Sequence, residues 1–336
     1  MRIAVVHNAV PADGTPDDRD VLAQAEAVTD ALRQLGHKPV RLACGLNFSR
    51  VQSELRSIGQ HLVFNLVESL DGTGRLIHLF PFMLDAMAMP YTGAGAEAIM
   101  LTSNKLLAKS LMESAGLPTP AWVASRTARG LGLIRRPREN PGRWIVKSVW
   151  EHASVGLDTE AVLETKSSHL LDTVLEQRAT RLGGACFAEA FIDGREFNLS
   201  LLEGPDGPRI LPPAEIIFEG YDAGQARIVD YQAKWDPDSY AYNHTPRRFD
   251  FDAADEGILE ELRSLALECW QLFGLRGYAR VDFRVDRQGR PWILEINTNP
   301  CLSPDAGFAA AVHQAGMSLT EAVGRIVDAG RQFFHA

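Results

Sequence analysis

The stretch "YARVDFRVDRQGRPWILEINTNPCLSP", residues 278 to 304, decides how this chain folds. Its apolar residues alternate as in a strand with one face in a core, and the intervening positions carry Arg280, Asp282, Glu295 and Asn297. Gln288 and Gly289 offer a polar pair with a glycine where a tight reversal needs one, so a hairpin is predicted. Pairing across that turn sets Val281 against Ile296, Phe283 against Leu294 and Val285 against Trp292, a wholly apolar face. The reverse face sets Asp282 against Glu295 and Arg280 against Asn297. Two carboxylates opposite each other repel unless a cation or a shared proton compensates. Oxygen ligands of this kind suit Mg²⁺, which takes one or two carboxylates and fills its shell with water and phosphate oxygens. Alternatively, the face is solvated and its charges are ordinary surface charges.

The composition narrows the setting. At 336 residues the chain is too long for one typical core, and 46% hydrophobic with 23% charged residues is ordinary for a soluble globular protein of two or three domains. A net charge of -9 with no basic block argues against a nucleic-acid binder. No apolar run approaches the ~20 residues that span a bilayer, so no membrane partner is expected. "MRIAVVHNAV" reads as a first strand rather than a secretion signal. Cys44, Cys186, Cys269 and Cys301 are scattered without a CxxC pair and read as reduced thiols, which together with the rest suggests a cytoplasmic location.

Along the first hundred residues, strands "RIAVVHN", "KPVRLA" and "HLVFNLV" and a helix striped by Val21, Ala25, Val28, Leu32 and Leu35 predict a parallel sheet. Asp18 or Asp20 is a credible cap for that helix. Thr102 or Ser103 is expected to cap a helix whose inner stripe is Leu106, Leu107, Leu111 and Ala115, with Gly116 and Pro118 stopping it. The strand "RWIVKSV" follows an Arg-, Gly- and Pro-rich connection near 126 to 143 and runs into the loop "WEHASVG". Later come "CFAEAFIDGREFNLSLLEG", a long polar stretch from 219 to 250, a helix around 255 to 273, the hairpin and a helical C-terminus.

Three further features suggest phosphate or nucleotide. Lys147 ends an apolar strand before a loop holding Ser154 and Gly156, where a lysine and loop amides can surround phosphate oxygens. Lys105 begins a helix, is unfavourable for its dipole and gains from a nearby anion. In "AEAFIDGREF", Glu189 closes a strand and Glu196 follows a turn, two acceptors for a base and a ribose. Each feature alone is equally a solvated lysine or an exposed acid.

In order and approximate spacing, "YTGAGAEAIMLTSNKLLAKSLMESAGLPTP", "WIVKSVWEHASVGL", "AEAFIDGREFNLSLL", "DYQAKW" and the hairpin resemble ATP-grasp enzymes of the D-alanine–D-alanine ligase family over nearly the whole chain. The resemblance implies an α/β chain with the ATP-grasp fold: a Rossmann-like parallel-sheet domain over 1–101, a small central domain over 102–186 and a mainly antiparallel domain over 187–336. It implies ATP and Mg²⁺ as cofactors, with two ions and Mn²⁺ as a substitute. Lys105 and Lys147 would contact phosphates. Glu189 would accept from the adenine amino group, the backbones of Ala190 and Ile192 would contact the base, Phe191 and Leu294 would sandwich it, and Glu196 would hold the ribose. Asp282, Glu295 and Asn297 match the metal ligands, and Lys234 matches a lysine on a mobile lid that reaches the γ-phosphate. Arg280 and the backbone amide of Cys301 match the oxyanion donors, with no role required of the Cys301 sulfur.

The substrate half departs from the family pattern. Trp235 stands where a tyrosine would meet Ser154 and the first substrate, and "FNLVESLDG" replaces "LHGxxGEDG", setting Asn65 and Leu70 at its histidine and glutamate. Ala306 stands where a serine would hold a carboxylate, and Asp305 adds a negative charge expected to repel one. Asp17, Asp18, Asp20 and Glu68 are candidates for the acid that holds the first substrate's ammonium, or are caps and solvated acids. The expected activity is joining a small amino-acid-like carboxylate to an amine through an acyl phosphate, by a homodimer. A cell-wall D-alanine–D-alanine ligase and a catalytically inactive ATP sensor are the alternatives.

Overall fold

The computed structural model describes residues 1–125, 142–222 and 224–332. The connection expected near 126 to 143 falls almost wholly outside them. Strands β1 (Arg2–Asn8), β2 (Lys38–Cys44) and β3 (Leu62–Leu66) alternate with α1 (Pro16–Gln34) and α2 (Phe48–Ile58) and form a parallel sheet in the order β2-β1-β3. Val21, Ala25, Val28 and Leu32 of α1 are buried as the 3.6-residue period requires, whereas Leu35 lies past the helix end and is exposed. The cap of α1 is Thr15, and Asp18 returns its carboxylate to the Thr15 N–H at 3.1 Å, so neither Asp18 nor Asp20 is the cap itself.

Helices α3 (Leu79–Ala86), α4 (Ala96–Ser103) and α5 (Lys105–Ser114) lead away from this sheet. Thr102 and Ser103 close α4, and Asn104 caps α5 by accepting from the Leu106 and Leu107 amides at 3.0 and 3.1 Å. Of the expected stripe on α5, Leu106 is buried and Leu111 packs against the core, whereas Leu107 is only half-buried and Ala115 is exposed; Lys105, Ala108, Lys109 and Met112 complete the buried face.

A four-stranded antiparallel sheet follows, built from β4 (Trp122–Ala124), β5 (Arg143–Ser148), β6 (Val162–Glu164) and β7 (Cys186–Ala190), with α6 (Ser168–Ala179) across it. Since β7 pairs with β4 and β5 through Ala190, a boundary after 186 cuts through this sheet's own strand.

The third sheet is antiparallel and six-stranded: β8 (Gly194–Gly204), β9 (Gly207–Ile210), β10 (Ala214–Ile216), β11 (Arg247–Arg248), β12 (Tyr278–Asp286) and β13 (Pro291–Asn297). Between β10 and β11 the polar stretch forms two short helices, α7 (Tyr231–Trp235) and α8 (Tyr240–Asn243). The remaining helices are α9 (Glu256–Leu272), which packs on β8, β12 and β13, and α10 (Gly307–Gln314) and α11 (Leu319–Gln332), which return the chain to the parallel sheet.

The hairpin is β12 and β13, and its pairing departs from the alternation at one place. Arg280 pairs with Asn297, Val281 with Ile296 and Asp282 with Glu295 as expected, but a bulge then sets Phe283 against Ile293, Arg284 against Trp292 and Val285 against Pro291. Leu294 is the extra residue. Ile293 therefore takes the core position expected of Leu294, and Leu294 joins Glu295 on the opposite face.

Candidate active site

A cavity of about 450 Å³ opens between the central and C-terminal sheets and is bordered by the edge of the parallel sheet. Most residues picked from the sequence as site candidates line it: Lys105, Lys147, Ser154, Glu189, Ala190, Phe191, Ile192, Glu196, Lys234, Trp235, Arg280, Asp282, Leu294, Glu295, Asn297, Cys301, Asp305, Ala306 and Glu68. Asp20 also lines it, whereas Asp17 lies outside and accepts from the Tyr231 hydroxyl at 2.6 Å.

At one end the wall is apolar. Ile145, Ile216, Ile228, Phe191 and Leu294 form a slot, and the bulge is what turns Leu294 into it. The Ala190 N–H already donates to the Ala121 carbonyl at 2.7 Å, which leaves its carbonyl for a ligand. Glu189 is buried at 1% exposure with both oxygens engaged, one by Lys109 at 2.7 Å and the other by Lys147. It differs in this from the free acceptor expected for a base. Burial pushes its carboxyl up, but Lys109 and then Lys147 hold it below the ordinary range. Glu196 pairs with Arg284 at 2.9 Å, and burial outweighs that pairing to push its carboxyl up.

The middle of the cavity is cationic on one side and oxygen-rich on the other. Lys105 donates to the Glu151 carbonyl at 2.6 Å and sits 3.7 Å from Glu295. The loop after β5 is tightly wound: Ala153 and Ser154 have φ of 59° and 61°, and Gly156 follows at 72°. Left-handed backbone at two non-glycine residues costs about 1 kcal/mol or more each, and surrounding bonds hold it. The Ser154 hydroxyl donates to the Val229 carbonyl at 2.8 Å, and Glu151 accepts from Thr73 at 3.0 Å and from the Gly74 N–H at 3.2 Å. Gly74 has no room for a Cβ, which would lie 2.6 Å from the Trp150 carbonyl oxygen.

Asp282 and Glu295 face each other, and protein cations compensate them. Arg280 grips Asp282 through two bonds of 2.7 and 2.8 Å, Asn198 adds a third at 2.8 Å, and Lys105 attends Glu295. The repulsion read from the hairpin thus does not by itself require a metal ion. Burial pushes Glu295 up, yet Lys105 first among the neighbouring cations holds its carboxyl down at about 2. Among the described residues no three His, Cys, Asp or Glu side chains group as a metal site. The donor set is instead two carboxylates and the Asn297 carboxamide, whose oxygen accepts from the Asn299 N–H at 3.0 Å. Hard oxygen donors with one carboxylate firmly ionised fit Mg²⁺.

At the far end, Glu68 accepts from Gln24 at 2.7 Å, and burial pushes its carboxyl up to about 7. The Cys301 thiol donates to Asp20 at 2.9 Å, Ser303 donates to the same carboxylate at 2.9 Å, and burial with Glu68 and Asp20 nearby pushes the thiol well up. It stays protonated, in keeping with a site that uses no cysteine nucleophile. Trp235 donates its indole N–H to the Ala153 carbonyl at 2.9 Å, so the short helix α7 is tied to the loop after β5 without a tyrosine hydroxyl. Burial pushes the Lys234 ammonium down, and Arg280 adds to this.

Among the residues around the site that sequence reading did not single out are Lys109, Gln24, His152 and Arg247. Lys109 stands four residues after Lys105, on one helix face, and that spacing was the available signal. Gln24 reads as a polar position of α1, although it is wholly buried and also accepts from the Leu302 N–H at 3.2 Å. Burial pushes His152 down to about 3, so it is neutral.

Comparison with known proteins agrees with this geometry. The family model described as D-ala D-ala ligase C-terminus matches residues 111–328. A D-alanine–D-alanine ligase of Methylococcus capsulatus is 30% identical over 95% of this chain and 94% of its own, and one of Moorella thermoacetica is 28% identical over 98% of each. The solved D-alanine–D-alanine ligase of Bacillus anthracis complexed with ATP superposes with a TM-score of 0.73 at 18% identity, covering 100% of this chain and 99% of that one, which shows a shared fold. The class defined by fold and site is an ATP-grasp ligase that forms a carbon–nitrogen bond. Within that class, the chain belongs to the D-alanine–D-alanine ligase family.

Proposed function

We propose that the protein uses ATP to activate the carboxylate of a small amino-acid-like substrate and joins it to an amine. The adenine lies in the slot of Ile145, Ile228, Phe191 and Leu294, with the triphosphate beside Lys105, Lys147 and Lys234. Asp282, Glu295 and Asn297 would hold Mg²⁺, which when bound neutralises charge on the transferring phosphoryl group. The substrate carboxylate attacks the γ-phosphate, giving an acyl phosphate and ADP. An amine then adds to the acyl carbon, and phosphate leaves as the amide forms. Arg280, fixed by Asp282, donates to the oxyanion of that addition, and Lys234 on α7 covers the site. Water kept out by the lid cannot hydrolyse the acyl phosphate.

The observation that carries this function is the meeting of Lys105, Lys147, Lys234 and Arg280 with Asp282, Glu295 and Asn297 on the wall of one cavity, beside a slot shaped by the bulge. Glu295→Gln keeps the shape and removes the charge. It is expected to abolish ADP release while the protein stays folded by circular dichroism, and unchanged turnover refutes the proposal. A second possibility, D-alanine–D-alanine ligase activity itself, is supported by the names of the curated relatives. Phosphate release on incubation with D-alanine and ATP alone decides for it.

A further inference from the structure

Most cations on the cavity wall are already engaged: Lys147 by Glu189, Arg280 by Asp282, Arg284 by Glu196, and Lys105 by the Glu151 carbonyl. Lys234 is assigned to the triphosphate under the ligase function. Arg247 is left. It lies on the edge strand β11, lines the cavity, and has no ion-pair partner among the described residues. Its neighbour Arg248 pairs with Glu215 away from the cavity, so the alternation of the strand turns Arg247 toward it.

The guanidinium is held in place. It donates to the Asp305 backbone carbonyl at 3.1 Å and lies over Gly307, where an added Cβ would be 3.4 Å from its Nε. Both contacts put it beside Ala306, a side chain with no hydrogen-bonding group. Arg247 is exposed along part of its side chain, while burial of the guanidinium at the cavity wall, and then the Arg280 guanidinium, push it down, so an anion beside it is favoured. Asp305 is near enough to be felt but does not form an ion pair. The negative charge expected there to repel a carboxylate is therefore offset by a guanidinium that sequence reasoning missed.

We propose that Arg247 is the specificity-determining residue for the amine substrate, taking up a carboxylate on it, so that the acceptor is an amino acid and not a simple amine. The inference rests on the ligase function. A guanidinium presents parallel N–H donors that match the two oxygens of a carboxylate, and a carboxamide at the same place loses the charge and one acceptor.

The test uses the whole enzyme with ATP and Mg²⁺. Glycine, D-alanine and L-alanine are offered as donors, each beside free glycine, D-alanine or L-alanine, or their amides, as acceptors. Mass spectrometry distinguishes dipeptide from dipeptide amide. Amides are expected to raise the acceptor KM by about 30-fold, the worth of one charge-assisted pair. Arg247→Gln is expected to erase that preference with the KM for ATP unchanged, and Arg247→Lys to restore part of it. The same preference is read without turnover by calorimetric titration of glycine and glycinamide in the presence of a non-hydrolysable ATP analogue. Binding preference without turnover on any pair sinks the ligase function alone. Turnover or binding indifferent to amidation, or a preference that survives in Arg247→Gln, overturns the role of Arg247.

Discussion

Lys109→Met tests how the nucleotide end of the cavity is held together. Lys109 and Glu189 are each 1% exposed and lie 2.7 Å apart, and Lys147 takes the other Glu189 oxygen. The Lys109 ammonium also donates to Thr119 at 2.8 Å, and Thr119 in turn donates to the Ile293 carbonyl at 3.0 Å, which anchors the group to the core side of the bulge. Methionine keeps the apolar stem and removes the charge. Removing one partner from a buried ion pair costs about 3–5 kcal/mol, because the other charge is left without compensation. Lys147 remains as partial compensation, so the cost falls just below that range, at about 2–3 kcal/mol. For a chain of this size the cost is read as a fall of about 3–4 °C in Tm.

The pH dependence carries a sign that can be checked. The lysines hold Glu189 below the ordinary carboxylate range in the folded protein. Its contribution is thus fully present above the unfolded carboxylate value and is lost as pH falls through the folded one. Without Lys109 the folded value rises, and acid unfolding should begin at a higher pH. The KM for ATP should rise too, since Lys147 is drawn more fully onto Glu189. Differential scanning calorimetry across pH and ADP-release kinetics measure these effects. A Tm unchanged within about 1 °C, or additivity within about 0.5 kcal/mol in the Lys109→Met and Glu189→Gln cycle, refutes the coupling.

Two further outcomes follow from the substrate end. Glu68 binds its proton up to about 7 in the folded protein against an ordinary 4.5, so its contribution to stability falls as pH rises between those values. Glu68→Gln should flatten this part of the stability profile, by up to about 3 kcal/mol, in denaturant titrations across it, and an unaltered slope would show that another group titrates there. Trp235→Phe removes the bond from the indole to the Ala153 carbonyl, worth about 1 kcal/mol, and should raise the ratio of ADP to amide about fivefold as the acyl phosphate meets water. An unchanged ratio would leave Trp235 a packing role only.

The parts of the site that could be seen in the sequence are those governed by short-range periodicity. Two-residue alternation sets Asp282 opposite Glu295 once a turn is placed at Gln288 and Gly289, and burial of Val281 and Ile296 enforces it. Lys147 and the loop after it could be found because a strand end and a cluster of small residues are local events. Lys109 could not be found by a rule that puts lysine on the solvent side of a helix, because its burial depends on Glu189, eighty residues away in the chain and across a different sheet. The caps failed for a milder reason: Thr102, Ser103 and Asn104 are all good N-caps, and α4 takes the first two into its last turn, so only Asn104 remains for α5.

The bulge shows how a small departure from alternation makes the site. Had the register continued as the sequence suggested, Leu294 would point into the core with Ile296, and Ile293 would stand on the face of Glu295 in its place. No glycine or proline in "WILEIN" marks the extra residue; the preference comes from the partners, since Ile293 fills the core and its carbonyl accepts from Thr119. One inserted residue therefore puts a carboxylate and an apolar side chain side by side on the same face. In an ordinary strand these two adjacent residues would be on opposite faces, and Leu294 could not line the cavity beside Glu295.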